Sequence, residues 1–216
     1  RGPRAGMIFF RQDERNFEAK INAAVFPGLQ GGPHVHQIAG MATQLKEVAS
    51  EDFKTYAHQV RLNAVALADQ LTSVYGYTLA TGGTDNHLIL WDLKPQQLNG
   101  AKMQYICDHT SMTLNKNAVL GDRSALTPGG VRIGTPALTT RGLKEAEFRK
   151  VADFLHQAVQ LAFNLQSGTK TMKEFEAAVQ ASEEVKALRR SVNEFITVFP
   201  MPGFDVSTMK YQSIDA

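Results

Sequence analysis

The chain has 216 residues, 43% apolar and 20% charged, with a formal net charge of +2 and a single cysteine, Cys107. That balance fits a globular protein with one large core or two small ones, and it excludes disordered and fibrous chains. A disulfide within the chain is impossible, a cysteine-based zinc site is disfavoured, and the charge indicates neither a nucleic-acid nor a membrane surface.

Met7 to Phe10, an apolar run after a Gly/Pro loop, predicts a buried strand. In "INAAVFPGLQGGPHVH", Pro27, Gly28, Gly31, Gly32 and Pro33 are expected to break regular structure. From Val35 the period changes: Ile38, Met41, Ala42, Leu45 and Val48 recur at helical spacing. Ser50 followed by Glu51 and Asp52 marks a second helix start, a capping hydroxyl and then acids at the positive end of the dipole. That helix carries Phe53, Tyr56, Val60, Ala64, Leu67 and Leu71 on one face and stops near Tyr75 and Gly76. "YTLAT", "HLILWD", "SMTL" and "GVRIG" then predict short strands separated by turns at Gly82-Gly83 and Pro128-Gly129-Gly130. Phe148, Val151, Leu155, Val159 and Ala162 mark a further helix, interrupted at Ser167-Gly168. Phe175 to Phe199 continues in helical phase as two helices hinged near Ser182. "FPMPGF" ends regular structure, and a loose tail is expected from about residue 205. The order predicts an α/β or α+β unit, a small sheet covered by helices, with the helix pair from Val35 to Leu71 able to bridge two domains.

Three stretches have candidate chemistry. In "QGGPHVH" two glycines precede a helix N-terminus, so their N–H groups can cradle a phosphate; a plain helix–loop junction needs the same glycines. Arg132 lies between Val131 and Ile133 on a strand and points to the opposite face from both. Its planar fork suits a carboxylate or phosphate, and an exposed strand arginine is the other reading. Asn115, Lys116 and Asn117 end a strand where amides can meet a heterocycle edge or simply make a turn. Cys107, Asp108 and His109 read as incidental neighbours, because adjacent residues on one element point apart. His34 and His36 are two potential metal ligands without a third nearby, and Trp91 reads as core.

Taken together, "RGPR", "FPGLQGGPH", "TGGTDNHL", "NKN", "GGVRIGTPALTTRG" and "FPMPGF" resemble, in order and spacing, the second half of serine hydroxymethyltransferase, in its eukaryotic rather than bacterial form. The resemblance runs from Arg1 to about Phe204. It implies an α/β pyridoxal 5'-phosphate enzyme of the aminotransferase-type fold (fold type I). Residues 1–48 would be the tail of its large cofactor-binding domain. Residues 49–216 would be a linking helix and the smaller C-terminal α+β domain. The implied reaction interconverts serine and glycine and passes the one-carbon unit to tetrahydrofolate.

By the same resemblance, Arg132 matches the arginine that clamps the amino-acid carboxylate. Gly31 and Gly32 match the loop that reaches the cofactor phosphate of a neighbouring subunit, and Arg4 an arginine that organises the cofactor site. Asn117 matches a folate-ring contact and Ser124 a folate-side loop. In the family the Schiff-base lysine lies in T-H-K-T-L immediately before R-G-P-R, so it is expected before Arg1, and this chain is expected to act with its own N-terminal half. Shared active sites imply a homodimer or homotetramer. The setting is expected to be intracellular, with cytosol, mitochondrion and plastid all open. The nearest alternatives are another enzyme of the same fold, such as a threonine aldolase, and a non-catalytic truncated relative. The Asn117 region and "TGGTDNH" speak for the folate enzyme.

Overall fold

The computed structural model describes residues 1–124 and 127–208. The chain divides into two compact units, Arg1–Thr55 and the residues from Tyr56 onward.

The first unit is helical. Helix α1 (Phe17–Ala23) passes into a wider turn, Ala24–Leu29, and α2 spans Val35–Val48. The helix expected from Val35 is therefore present. The expected break is present at residues 30–34, where Gln30 is extended (φ −132°, ψ 167°), but at Pro27 and Gly28 it is only partial, Phe26 being extended (φ −135°, ψ 124°) inside the helical turn. Met7 to Phe10 is not a buried strand. The run has no ladder partner, since every described strand belongs to the second unit, and its side chains are exposed, Phe9 at 86%. A strand needs a neighbour for its N–H and C=O groups and an apolar layer beneath it; neither exists within the first unit. No residue in 1–55 is buried.

The second unit holds the core. Helix α3 (Glu51–Asp69) is capped by Ser50, whose hydroxyl oxygen accepts from the Phe53 N–H at 3.2 Å. It buries Val60, Ala64 and Leu67 at the predicted spacing, and a last wide turn through Val74 ends at Gly76, which takes a left-handed φ of +69°. Strands β1 (Thr78–Leu79), β2 (Leu88–Asp92), β3 (Asn115–Asn117) and β4 (Gly130–Gly134) form an antiparallel sheet in the order β1-β2-β4-β3. One face carries Leu79, Ile89, Trp91, Val131 and Ile133, all buried. Helices α4 (Gly100–His109), α6 (Glu145–Gln166), α7 (Met172–Ala181) and α8 (Glu183–Thr197) complete that core with Met103, Ile106, Phe148, Leu155, Phe175 and Leu188. Each fully buried large side chain contributes roughly 1.5–3 kcal/mol, before the entropy cost of ordering it.

Two corrections concern this unit. "SMTL" is not a strand: Ser111 has φ +60°, and the Thr110 hydroxyl donates to the Ile106 carbonyl at 3.0 Å, so this stretch finishes α4 and pairing starts only at Asn115. Helix α4 itself, and the short α5 (Pro136–Thr140), fall where the sequence read as strands and turns. The signal for α4 was present: Asn99 caps it, accepting from the Lys102 N–H at 2.9 Å, and Met103, Ile106 and Cys107 follow at helical spacing. The hinge at Ser182 is borne out, its hydroxyl oxygen accepting from the Val185 N–H at 3.2 Å. Val206–Thr208, expected to be loose, forms a short 3₁₀ turn; residues 209–216 lie outside the described residues.

A polar cluster closes the end of α3 against α6. The Tyr75 and His156 rings stack 3.9 Å apart, and the Tyr77 hydroxyl lies 2.8 Å from His156 Nδ1. Burial holds the His156 pKa below its ordinary 6.5, with the Asp153 carboxylate opposing. The unfolded chain therefore takes up this proton first as pH falls, and the stability present above pH 6.5 declines as pH drops through the lowered value. The urea midpoint is expected to fall between pH 7.5 and 5.5, and to fall less in His156→Gln; equal slopes would exclude His156 as the source.

Candidate functional site

The second unit offers an open sheet face. Side chains alternate along β4, so Val131 and Ile133 enter the core and Arg132 projects from the other face, exposed. Leu90 and Asn115 stand opposite it on the flanking strands, and Asn117 lies one diagonal further, opposite Gly130. The sheet therefore brings Arg132, Asn115 and Asn117 onto one face, the diagonal Arg132–Asn117 spacing being roughly 7–8 Å. Among the described residues, no hydrogen bond or ion pair to the Arg132 guanidinium is formed. An unpaired fork of five donors on an exposed sheet face can meet an anionic group with two acceptors.

One side of this face is walled by residues 81–86. The Thr84 hydroxyl donates to the Leu88 carbonyl at 2.6 Å, and Asn86 Oδ1 accepts from the Leu88 N–H at 3.0 Å. These bonds fold "TGGTDN" back on β2 and leave a cleft of about 620 Å³ lined by that loop, Leu88 and Leu90. Leu90 is the residue opposite Arg132, so cleft and guanidinium share a face.

The other side follows β3. Asn117 Nδ2 donates to the Ala118 carbonyl at 2.8 Å, and the Lys116 N–H donates to Gln104 Oε1 at 2.9 Å. Asp122 closes the next loop by accepting from the Val119 and Gly129 N–H groups at 2.9 and 2.7 Å. Those N–H bonds, with Lys94 nearby, hold its carboxyl below the usual carboxylate range. Lys94 Nζ donates to the Leu120 carbonyl at 2.7 Å. Ser124 sits exposed on this loop, its carbonyl accepting from the Thr127 N–H at 3.3 Å; residues 125 and 126 are outside the described residues. At the loop's end a Cβ on Gly130 would meet the Trp91 carbonyl and lie 2.5 Å from Val119 Cγ1, so no side chain fits there.

The first unit places its own candidates separately. Gly31 and Gly32 lie exposed just ahead of α2, with open space where a Cβ would be. Arg4 is exposed in the loop whose Pro3 packs 3.4 Å from the Cβ position of Gly40, and Gly2 (φ +117°) packs on Gln44. Arg1 pairs with Glu47. His34 and His36 stack ring on ring at 5.6 Å, and among the described residues no three His, Cys, Asp or Glu side chains converge on a point. Cys107 is buried in α4, and burial, with Asp108 adjacent, pushes its thiol far up, out of the reactive range.

These features define the chain first by class: it belongs to the serine hydroxymethyltransferase family, whose sequence profile matches residues 1–155. It is 49% identical over 98% of its length to serine hydroxymethyltransferase 4 of Arabidopsis thaliana, covering 48% of that protein. It is 50% identical over 95% of its length to the Caenorhabditis briggsae serine hydroxymethyltransferase (43% of that protein) and 46% identical over 94% to the cytosolic rabbit form (46% of that protein). The chain thus spans a little under half the length of these relatives. A chloroplastic Arabidopsis form is 48% identical. No helix among the described residues is long and apolar enough to cross a membrane.

The sequence named Asn115 as a candidate amide but did not show that it stands opposite Arg132, nor the Asp122 loop closure, nor the buried polar network beyond β4. Only the Asp122 closure had a local signal, an acid within a Gly/Pro-rich loop.

Proposed function

We propose that the complete protein interconverts serine and glycine, exchanging the one-carbon unit with tetrahydrofolate, and that this chain supplies the substrate clamp and part of the folate pocket. The single observation carrying this reading is the unpaired Arg132 guanidinium on the open sheet face, in a chain of this family. Arg132 donates two N–H bonds to the amino-acid carboxylate in a two-point clamp, which fixes the orientation of the substituents on its α-carbon. Asn117, with Ser124 on the loop that Asp122 closes, contacts the folate at the edge of that face. Residues 81–86 with Leu88 and Leu90 border one flank of that face.

Pyridoxal 5'-phosphate, when bound, supplies the electron sink for cleavage at the α-carbon. The residues present fit it: Gly31 and Gly32 offer side-chain-free N–H groups at the start of a 14-residue helix, toward the phosphate of a neighbouring subunit, and Arg4 is an exposed cation. The lysine that holds the cofactor belongs to the protein's own N-terminal half. Exposed Met7, Ile8, Phe9, Phe26, Leu29 and Val35 support cover from that half, because a unit burying none of its own residues needs apolar cover. In this reading residues 1–48 complete the large domain, residues 49–216 form the small one, and the assembly is a homodimer or homotetramer with shared sites. In this reading the compartment is intracellular, as for the relatives named cytosolic and chloroplastic.

The test is serine-dependent formation of glycine by the complete, cofactor-loaded protein with and without tetrahydrofolate. Glycine formation that requires tetrahydrofolate is expected. Aldol cleavage indifferent to folate would point to a threonine aldolase, and no turnover at all to a non-catalytic relative.

A further inference from the structure

We propose that Asn63 is a positioning residue for Arg132, acting through a buried hydrogen-bond set that anchors the chain where it leaves β4. The inference rests on reading Arg132 as the carboxylate clamp. Asn63 is wholly buried on the core face of α3, where an unpaired amide would be costly. Its Nδ2 donates to Thr139 Oγ1 at 2.8 Å and to the Leu143 carbonyl at 2.9 Å, and its Oδ1 accepts from Gln59 Nε2 at 3.0 Å. Both donors are spent, and Leu143 presents only an acceptor, so neither aspartate nor leucine replaces this amide.

The set continues toward the clamp. The Thr139 hydroxyl, having accepted from Asn63, donates to the Thr135 carbonyl at 2.8 Å. Thr135 is itself wholly buried; its hydroxyl donates to the Val60 carbonyl at 2.9 Å and its N–H to the His87 carbonyl at 3.0 Å. Thr135 is three residues beyond Arg132, and the intervening Gly134 has no side chain to brace the strand end. The end of β4 is thus fastened to α3 by the Thr135 hydroxyl and to His87, the residue just before β2, by the Thr135 N–H. Stability alone is served as well by apolar packing, whereas a fully satisfied buried network pins one backbone position. A carboxylate clamp needs its donors within about 0.5 Å of the productive geometry.

The experiment compares Asn63→Leu in the complete, cofactor-loaded protein on the wild-type and Arg132→Lys backgrounds. It reads the glycine dissociation constant from the cofactor absorbance, alongside the melting temperature. Glycine binding is expected to weaken about tenfold on the wild-type background and less than about twofold on Arg132→Lys, since residues joined through one hydrogen-bond network couple. Unchanged glycine affinity with a lowered melting temperature, or equal weakening on both backgrounds, overturns the proposal. If Asn63→Leu does not fold, Thr139→Val, which removes one hydroxyl and keeps the shape, carries the same expectation. Failure of the clamp reading itself looks different: Arg132→Ala then binds glycine as the wild type does.

Discussion

Replacing Arg132 by alanine in the complete protein is expected to weaken glycine and serine binding by at least about 100-fold. Two charge-assisted hydrogen bonds are lost together, each contributing about 1.5–3 kcal/mol. Neither residue opposite Arg132 compensates. The facing Leu90 is apolar, and Asn115 carries no charge. Arg132→Lys keeps the charge and loses the fork, so it is expected to fall between wild type and alanine. Because Arg132 is exposed and makes none of the contacts that hold the core, the melting temperature is expected to stay within a few degrees. Isothermal titration with glycine and a thermal melt separate the two effects. Normal glycine affinity in Arg132→Ala would exclude the clamp.

The largest loss of stability is expected from Trp91→Ala, about 3–5 kcal/mol for deleting a buried indole that its surroundings cannot replace. Trp91 is wholly buried at the middle of the core face of the sheet, with the Tyr77 ring 4.6 Å away. Its backbone carbonyl lies against Gly130, where no Cβ fits, so the strands cannot shift to close the gap. The indole Nε1 has no hydrogen-bond partner among the described residues. Trp91→Phe therefore sacrifices no hydrogen bond and is expected to cost less than half as much as alanine. Trp91 is the chain's sole tryptophan, so urea unfolding of the complete protein is best followed by circular dichroism. Equal midpoints for wild type and Trp91→Ala would contradict its place in the core.

Both predictions rest on features that reading the sequence reached by different routes. The alternation Val131-Arg132-Ile133 was legible because strand periodicity is local, and the sheet confirms the opposite facing. The helices Val35–Val48 and Glu145–Gln166 and the hinge at Ser182 were legible for the same reason. Met7 to Phe10 misled because an apolar run reports a demand for cover and not its source; within residues 1–55 there is no partner strand. "SMTL" misled because Ser111 takes a left-handed turn that β-branched and apolar neighbours do not announce.

By itself the sequence determined the family, the periodic helices and strands, and which arginine could serve as a clamp, since each is written in local spacing or in ordered motifs. Only the tertiary structure decided that Arg132, Asn115 and Asn117 share one face, because strand register sets which residues stand opposite one another. It alone joined Asn63 to Thr139 across 76 positions, a pairing made by the antiparallel sheet and the helix behind it. A lone asparagine amid apolar helix positions states only that a partner is needed; the fold supplies the partners, Thr139 and the Leu143 carbonyl.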